Sequence, residues 1–149
     1  MTETRVATRP WSSPPPEPVP TPQTVPYWEF TARGILALRR CRSCAAVFHR
    51  PVGGCPECGA EEAAWFPASG RATLFSYVIV HRGEGAFADR VPYAVALVRL
   101  AEGPVMVTGV VDVAQTPEAL RLDMPLRVRF EPRGGYALPV FAPEPEAGP

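Results

Sequence analysis

The sequence predicts a mainly β protein: a short N-terminal helix and a zinc ribbon, followed by a five-stranded OB-fold barrel. Three observations predict it. All four cysteines fall in two C-x-x-C pairs, Cys41-Arg42-Ser43-Cys44 and Cys55-Pro56-Glu57-Cys58, with ten residues between them. From Arg71 onward, five short runs of strand-forming residues are separated by Gly- and Pro-containing turns. The helical signal in that half, Thr116-Pro117-Glu118-Ala119-Leu120, lies between the third and fourth runs, which favours an OB-type barrel over a sandwich.

The chain divides at 1–25, 26–66, 67–141 and 142–149. Residues 1–25 hold Pro10, Pro14, Pro15, Pro16, Pro18, Pro20 and Pro22, with Trp11 the main large apolar residue. Proline at that density blocks helix and ladder hydrogen bonds and favours extended polyproline II, so a disordered or semi-rigid tail is expected, with a partner-binding arm as the sharper alternative. Residues 26–34 read as a short helix, with Pro26 in the first turn and Gly34 as the stop. A helix this short is not stable alone in water. Its aromatics Tyr27, Trp28 and Phe30 must therefore pack on the core or dock a partner.

Ile35–Arg40 alternates as a strand feeding the first cysteine pair, and Val47–Pro51 is a second ribbon strand. Two C-x-x-C turns aim four thiolates at one centre, which suits tetrahedral Zn²⁺ with no open coordination position. Cys41, Cys44, Cys55 and Cys58 are thus the expected ligands of a structural metal, and spacing does not separate zinc from iron. Paired disulfides would need an oxidising compartment, and thioredoxin-type chemistry uses one C-x-x-C rather than two. His49, between the pairs, is a substitute ligand or a packing residue. Arg33, Arg39, Arg40, Arg42 and Arg50 form a local basic stretch without an acid. It is either solvated surface or a site for phosphate or an acidic partner.

The barrel strands are expected at Arg71–His81, Pro92–Leu100, Val105–Asp112, Leu126–Glu131 and Tyr136–Phe141. The first carries Thr73, Phe75, Tyr77 and Ile79 on one face and Leu74, Val78 and Val80 on the other, which predicts burial on both faces. Arg82–Arg90 is expected to be a mobile loop with Phe87 its large apolar residue. Glu102-Gly103-Pro104 and Gly134-Gly135 are turns, and residues 142–149 a second tail.

Composition narrows the function classes. The 15 basic residues are all arginine and balance 15 acids, which argues against general nucleic-acid affinity. No apolar run reaches transmembrane length, and with no apolar leader stretch the chain is expected to be cytoplasmic. There is no Gly-x-Ser-x-Gly elbow, no phosphate-binding glycine loop and no lysine for a Schiff base, so autonomous catalysis is not expected.

Several motifs together resemble a known family. They are Tyr27-Trp28-Glu29 before the ribbon, Arg39-Arg40-Cys41 at its entry and Cys55-Pro56-Glu57-Cys58-Gly59 at the second knuckle. The others are Ser69–Tyr77, Pro92–Val98 and the late Arg127-Val128-Arg129-Phe130 strand. From about Pro26 to Phe141 the chain resembles small proteins with a rubredoxin-like zinc ribbon and an OB-fold, long classed as a domain of unknown function. The resemblance implies an accessory subunit of acyl-CoA metabolism. The implied partner is a thiolase-like enzyme, a thiolase-fold aldolase of steroid side-chain degradation or a MaoC-type hydratase in a hetero-oligomer, and the resemblance also implies a role in binding or shuttling acyl-CoA. On that reading Tyr27, Trp28 and Phe30 dock the partner, while Arg39, Arg40, Arg71, His81 and Phe87 contact CoA or the partner. The long Pro-rich N-terminus departs from the family pattern. The alternative is a module for single-stranded nucleic acid, with Phe75, Tyr77 and Tyr93 stacking bases.

Overall fold

A computed structural model describes residues 10–49 and 53–145. Among the described residues, one α-helix and eight strands follow in order: α1 Val25–Ala32, β1 Ala37–Cys41, β2 Val47–Phe48, β3 Ala63–Pro67, β4 Arg71–Val80, β5 Tyr93–Leu100, β6 Val105–Thr108, β7 Pro125–Arg133 and β8 Tyr136–Pro143, with a short 3-10 turn at Gly85–Phe87 between β4 and β5. A three-stranded ribbon sheet runs β2-β1-β3, and a five-stranded sheet runs β6-β5-β4-β7-β8, antiparallel throughout.

The second sheet curls into a barrel. Val110 bridges Phe141 in parallel, the Val111 N–H donates to the Phe141 carbonyl at 2.8 Å, and the Phe141 N–H donates to the Gly109 carbonyl at 3.0 Å. Gln115 braces this closure: its Oε1 accepts the Ala94 N–H at 2.7 Å, and its Nε2 donates to the Val110 and Val113 carbonyls at 3.0 and 2.9 Å. The expected helical element between β6 and β7 is a single turn. Thr116 accepts the Leu120 N–H at 2.9 Å through its carbonyl and the Ala119 N–H at 3.3 Å through its Oγ1, as an N-cap threonine should.

Helix α1 is stopped just past its Arg33 cap by Gly34, whose φ of +73° is costly for any residue with a Cβ. Its inner face joins the barrel. Thr31 is buried, donates to the Trp28 carbonyl at 2.8 Å and takes the Ala137 N–H of β8 at 3.5 Å. One core therefore spans both modules, with Tyr27, Leu36 and Leu38 packed in the same cluster as Leu74, Leu126 and Phe141.

Three expectations need correction. Strand β3 was not anticipated; it completes the ribbon sheet by pairing Leu38 with Phe66 and Arg39 with Trp65. Strand β4 is not buried on both faces. A bulge between Leu74 and Ser76 reverses the alternation, so that Ala72 and Leu74 point inward, then Tyr77 and Ile79, leaving Phe75 and Val78 outside. Strand β6 stops at Thr108 rather than Asp112, because Gly109 and Val110 turn across to β8.

Residues 10–24 form no strand, as their prolines dictate, yet they are attached to the barrel. Trp11 meets Phe87 edge-on at 5.4 Å, between the guanidinium groups of Arg90 and Arg133 at 3.8 and 4.9 Å from its ring centre. The Glu17 carboxylate lies where a Cβ at Gly134 would stand, so this approach depends on glycine. Arg50 and Pro51 lie outside the described residues, as does the end of the 142–149 segment.

Candidate functional site

The two cysteine turns are built alike. In each, the first cysteine accepts a backbone bond from the residue four positions on (Ala45 to Cys41 at 3.0 Å, Gly59 to Cys55 at 2.9 Å). Each also takes an N–H from two positions on to its sulfur, from Ser43 and from Glu57, both at 3.4 Å. The fifth position turns with positive φ, +63° at Ala45 and +78° at Gly59. Only the second turn has the residue that adopts this without strain.

The sulfurs then interleave. Cys41 faces Cys58 and Cys44 faces Cys55, each at 3.6 Å, and all four Sγ atoms lie within 4.8 Å of one another. A tetrahedron with metal–sulfur bonds of about 2.3 Å has edges of about 3.8 Å, so the donor set fits a four-thiolate ion. The N–H groups of Cys44 and Ser43 hold the Cys41 thiol down to about 6. The Cys44 and Cys58 thiols move up: the N–H groups of Ala46 and Ala60 pull each down, but neighbouring sulfurs and desolvation outweigh them. Such crowding of thiolates is relieved by a cation. Cys41 and Cys55 are buried and the other two exposed, so the four-sulfur cluster sits at the rim of the ribbon. An ion held by all four sulfurs would have no open position for a bound water. His49 is not a ligand in this arrangement. It packs edge-on to Tyr27 with Nε2 3.5 Å from the phenol oxygen, and burial lowers its pKa.

The other anticipated site residues do not converge. Arg39 lies over Phe48 and Trp65, at 5.4 and 5.5 Å, while Arg40 lies over Phe66 on the opposite face of β1, at 4.6 Å. Arg71 approaches Glu144 at 3.8 Å, beside the closer Arg127–Glu144 pair at 2.7 Å. His81 is exposed beyond the end of β4. Tyr27 is 6% exposed and belongs to the core, so it is not a docking residue. Trp28 packs toward Tyr136 and Phe30 toward Trp65, both half-buried. The proposed base-stacking set is divided as well: Phe75 is outside under Arg99, Tyr77 is inside, and Tyr93 packs at a tilt against Phe87.

Two surfaces were not anticipated. The outer face of β4, β5 and β6 is apolar: Val78 opposes Val95, Leu97 opposes Val107 and Arg99 opposes Val105. Val78 is 62% exposed, Val107 65% and Phe75 47%. At one end this face leads into a groove of about 470 Å³ lined by residues of β5, β6 and β8, with Trp11, Phe87, Arg90 and Arg133 along it. The apolar alternation of the strands gave a signal for the first surface, but only the bulge turns Val78 outward. Nothing local in the sequence links Trp11 to residues some eighty and more positions away.

Among the described residues, no helix is long and apolar enough to cross a membrane.

Residues 28–62 match the model of the ChsH2 rubredoxin-like zinc ribbon domain, and residues 65–131 that of the ChsH2 C-terminal OB-fold domain. A DUF35 domain-containing scaffold protein of Pyrococcus furiosus is 33% identical over 100 residues, which is 66% of this chain and 71% of that protein. A probable enoyl-CoA hydratase alpha subunit of Thermomonospora curvata is 33% identical over 118 residues, or 78% of this chain, but the chain spans only 36% of its length. A solved structure described as an Ltp2-ChsH2(DUF35) aldolase superposes with a TM-score of 0.74 at 29% identity, covering 85% of this chain and 98% of the matched one. A Sulfolobus solfataricus DUF35 protein of unknown function shares the fold, with a TM-score of 0.59 at 11% identity.

Proposed function

Because the chain belongs to the DUF35 family, with its ChsH2-type zinc ribbon and OB-fold, we propose that it is a non-catalytic accessory subunit. Its partner is an aldolase or hydratase, of the thiolase superfamily or the MaoC type, that acts on acyl-CoA substrates. The observation that carries this reading is the match to the ChsH2(DUF35) chain of an aldolase assembly, over 98% of that chain. The hydratase-subunit relative supports the same class of partner. The four-thiolate centre is assigned to zinc, whose filled tetrahedron suits a structural role.

The docking surface fits the outer face of β4–β6. A barrel exterior facing water is ordinarily polar, whereas this one carries Phe75, Val78, Val95, Val105 and Val107 at 38% exposure or more. An enzyme subunit is the occupant of matching size and character. Val78→Asp should reduce capture of the partner aldolase or hydratase by about thirtyfold, the effect of losing an interface anchor of about 2 kcal/mol. Val78 is already exposed, so unfolding free energy should stay within about 0.5 kcal/mol of wild type. Quantitative pull-down from the native cell, with urea denaturation alongside, measures both. If neither enzyme class is retained by the wild type, the accessory reading fails.

The finer reading adds direct contact with acyl-CoA. Arg40 and Arg71 are exposed and suited to CoA phosphates, while Arg39, stacked between two aromatics, has a packing role. Calorimetry with CoA in the millimolar range should give heat that Arg40→Ala and Arg71→Ala each weaken. The absence of heat removes direct contact and leaves docking standing.

A further inference from the structure

We propose that the docking face reads a carboxylate: Arg99, laid over Phe75, receives an Asp or Glu side chain of the partner enzyme, set beside an apolar patch that covers Val78, Val95 and Val107. This rests on the accessory reading and names the chemistry of the surface that the partner must present.

The face has two unlike ends. Strand alternation turns Arg71, Thr73 and Phe75 of β4 outward before the bulge, with Val95, Leu97 and Arg99 of β5 beside them. Val105 and Val107 of β6 extend the rows. No acid occurs in any of these three strands. One end, where Val78 opposes Val95, is apolar. The other end carries arginine: Arg99 stands opposite Thr73, and Arg71, two residues before Thr73, stands opposite Arg127 of β7.

These arginines are not equivalent. Arg71 and Arg127 are like charges in register, a destabilising pair that Glu144 offsets by meeting both, at 3.8 and 2.7 Å. Arg99 is exposed, and among the described residues no carboxylate pairs with it. Its guanidinium lies 4.8 Å from the Phe75 ring centre. A cation over a ring keeps its charge, and the N–H donors along the guanidinium edge suit a carboxylate.

A partner that covers Phe75 also takes Arg99 out of water, and a charge excluded from water without a counterion is costly. The face is therefore complementary to an apolar patch only where that patch carries an acid at the Arg99 end. A phosphate-bearing small molecule fits less well, because such ligands occupy concave sites and Arg99 lies on the outside of a barrel.

The test is quantitative capture of the aldolase or hydratase from the native cell by the full chain, at about 50 mM and about 500 mM salt. Arg99→Met keeps an unbranched chain over Phe75 and removes the charge. It should weaken capture about tenfold at low salt, the worth of one charge-assisted contact, and the gap should narrow at high salt. Arg99→Lys, which restores the charge without the planar fork, should recover part of the loss. Val78→Asp, at the apolar end, should lower capture by a similar factor at both salts. All three variants change exposed side chains, so their urea midpoints should match wild type. Capture by Arg99→Met equal to wild type at low salt overturns the carboxylate and leaves docking standing; the same result with loss of calorimetric heat toward CoA assigns Arg99 to a phosphate instead. A wild type that retains neither enzyme overturns the docking reading and this inference with it.

Discussion

Cys41→Ser releases the metal and unravels the knuckle end of the ribbon. The wild type should purify with about one zinc per chain, and the variant with little or none after dialysis against a chelator. The sulfur at Cys41 stands 3.6 Å from that of Cys58 and takes the Ser43 N–H, so a serine oxygen there is both harder and misplaced. The loss is large because binding free energy in small zinc modules, roughly 10–16 kcal/mol, is also folding free energy. Around the cysteines, the buried apolar cluster among the described residues is small: Phe48 with the two inner cysteines. The ribbon base should survive, since Leu36 and Leu38 are anchored in the barrel core. Metal analysis and hydrogen exchange read the two halves separately. A Cys41→Ser protein that keeps its zinc through chelation overturns the four-thiolate assignment.

Phe141→Ala is the second large effect. Phe141 has no exposed surface, contributes to the shared core, and its backbone makes both hydrogen bonds of the barrel closure. Removing its ring should cost about 3–5 kcal/mol, the usual range for a buried phenylalanine. Against a total stability of about 5–15 kcal/mol this is about a fifth or more of what holds the domain together. Urea denaturation should show the midpoint fall with an unchanged slope. A loss under about 1 kcal/mol would mean that the closure is not packed as described.

The parts most legible in the sequence were those fixed by local chemistry. Four cysteines in two C-x-x-C turns announce a tetrahedral centre whatever surrounds them, and their sulfurs do converge. Pro26, Gly34, Gly103 and Thr116 mark starts, stops and caps through backbone geometry that depends on few neighbours. What escaped depends on distant partners. Ala63–Pro67 has too mixed a composition to read as a strand; it becomes one by pairing with β1. The β4 bulge has no residue signature, yet it decides which of Phe75, Val78 and Tyr77 face solvent. Trp11 looked like an isolated aromatic in a Pro-rich tail because its contacts, Phe87, Arg90 and Arg133, come from the far half of the chain.

The placement of β3 bears on how this protein can be cut and rebuilt. The ribbon match ends at residue 62 and the barrel match begins at 65, which invites a module boundary between them. That boundary falls inside β3, whose Ala63 and Ala64 pair with Cys41 and Arg40 and whose Trp65 and Phe66 pair with Arg39 and Leu38. Severing there would strip the ribbon of its third strand and leave Trp65 and Phe66 on the barrel fragment without the β1 strand they pair with. A chimera that exchanges ribbons between relatives must therefore carry residues 26–67 as one cassette, and its success will turn on whether the new Leu36 and Leu38 equivalents fit the recipient barrel's interior.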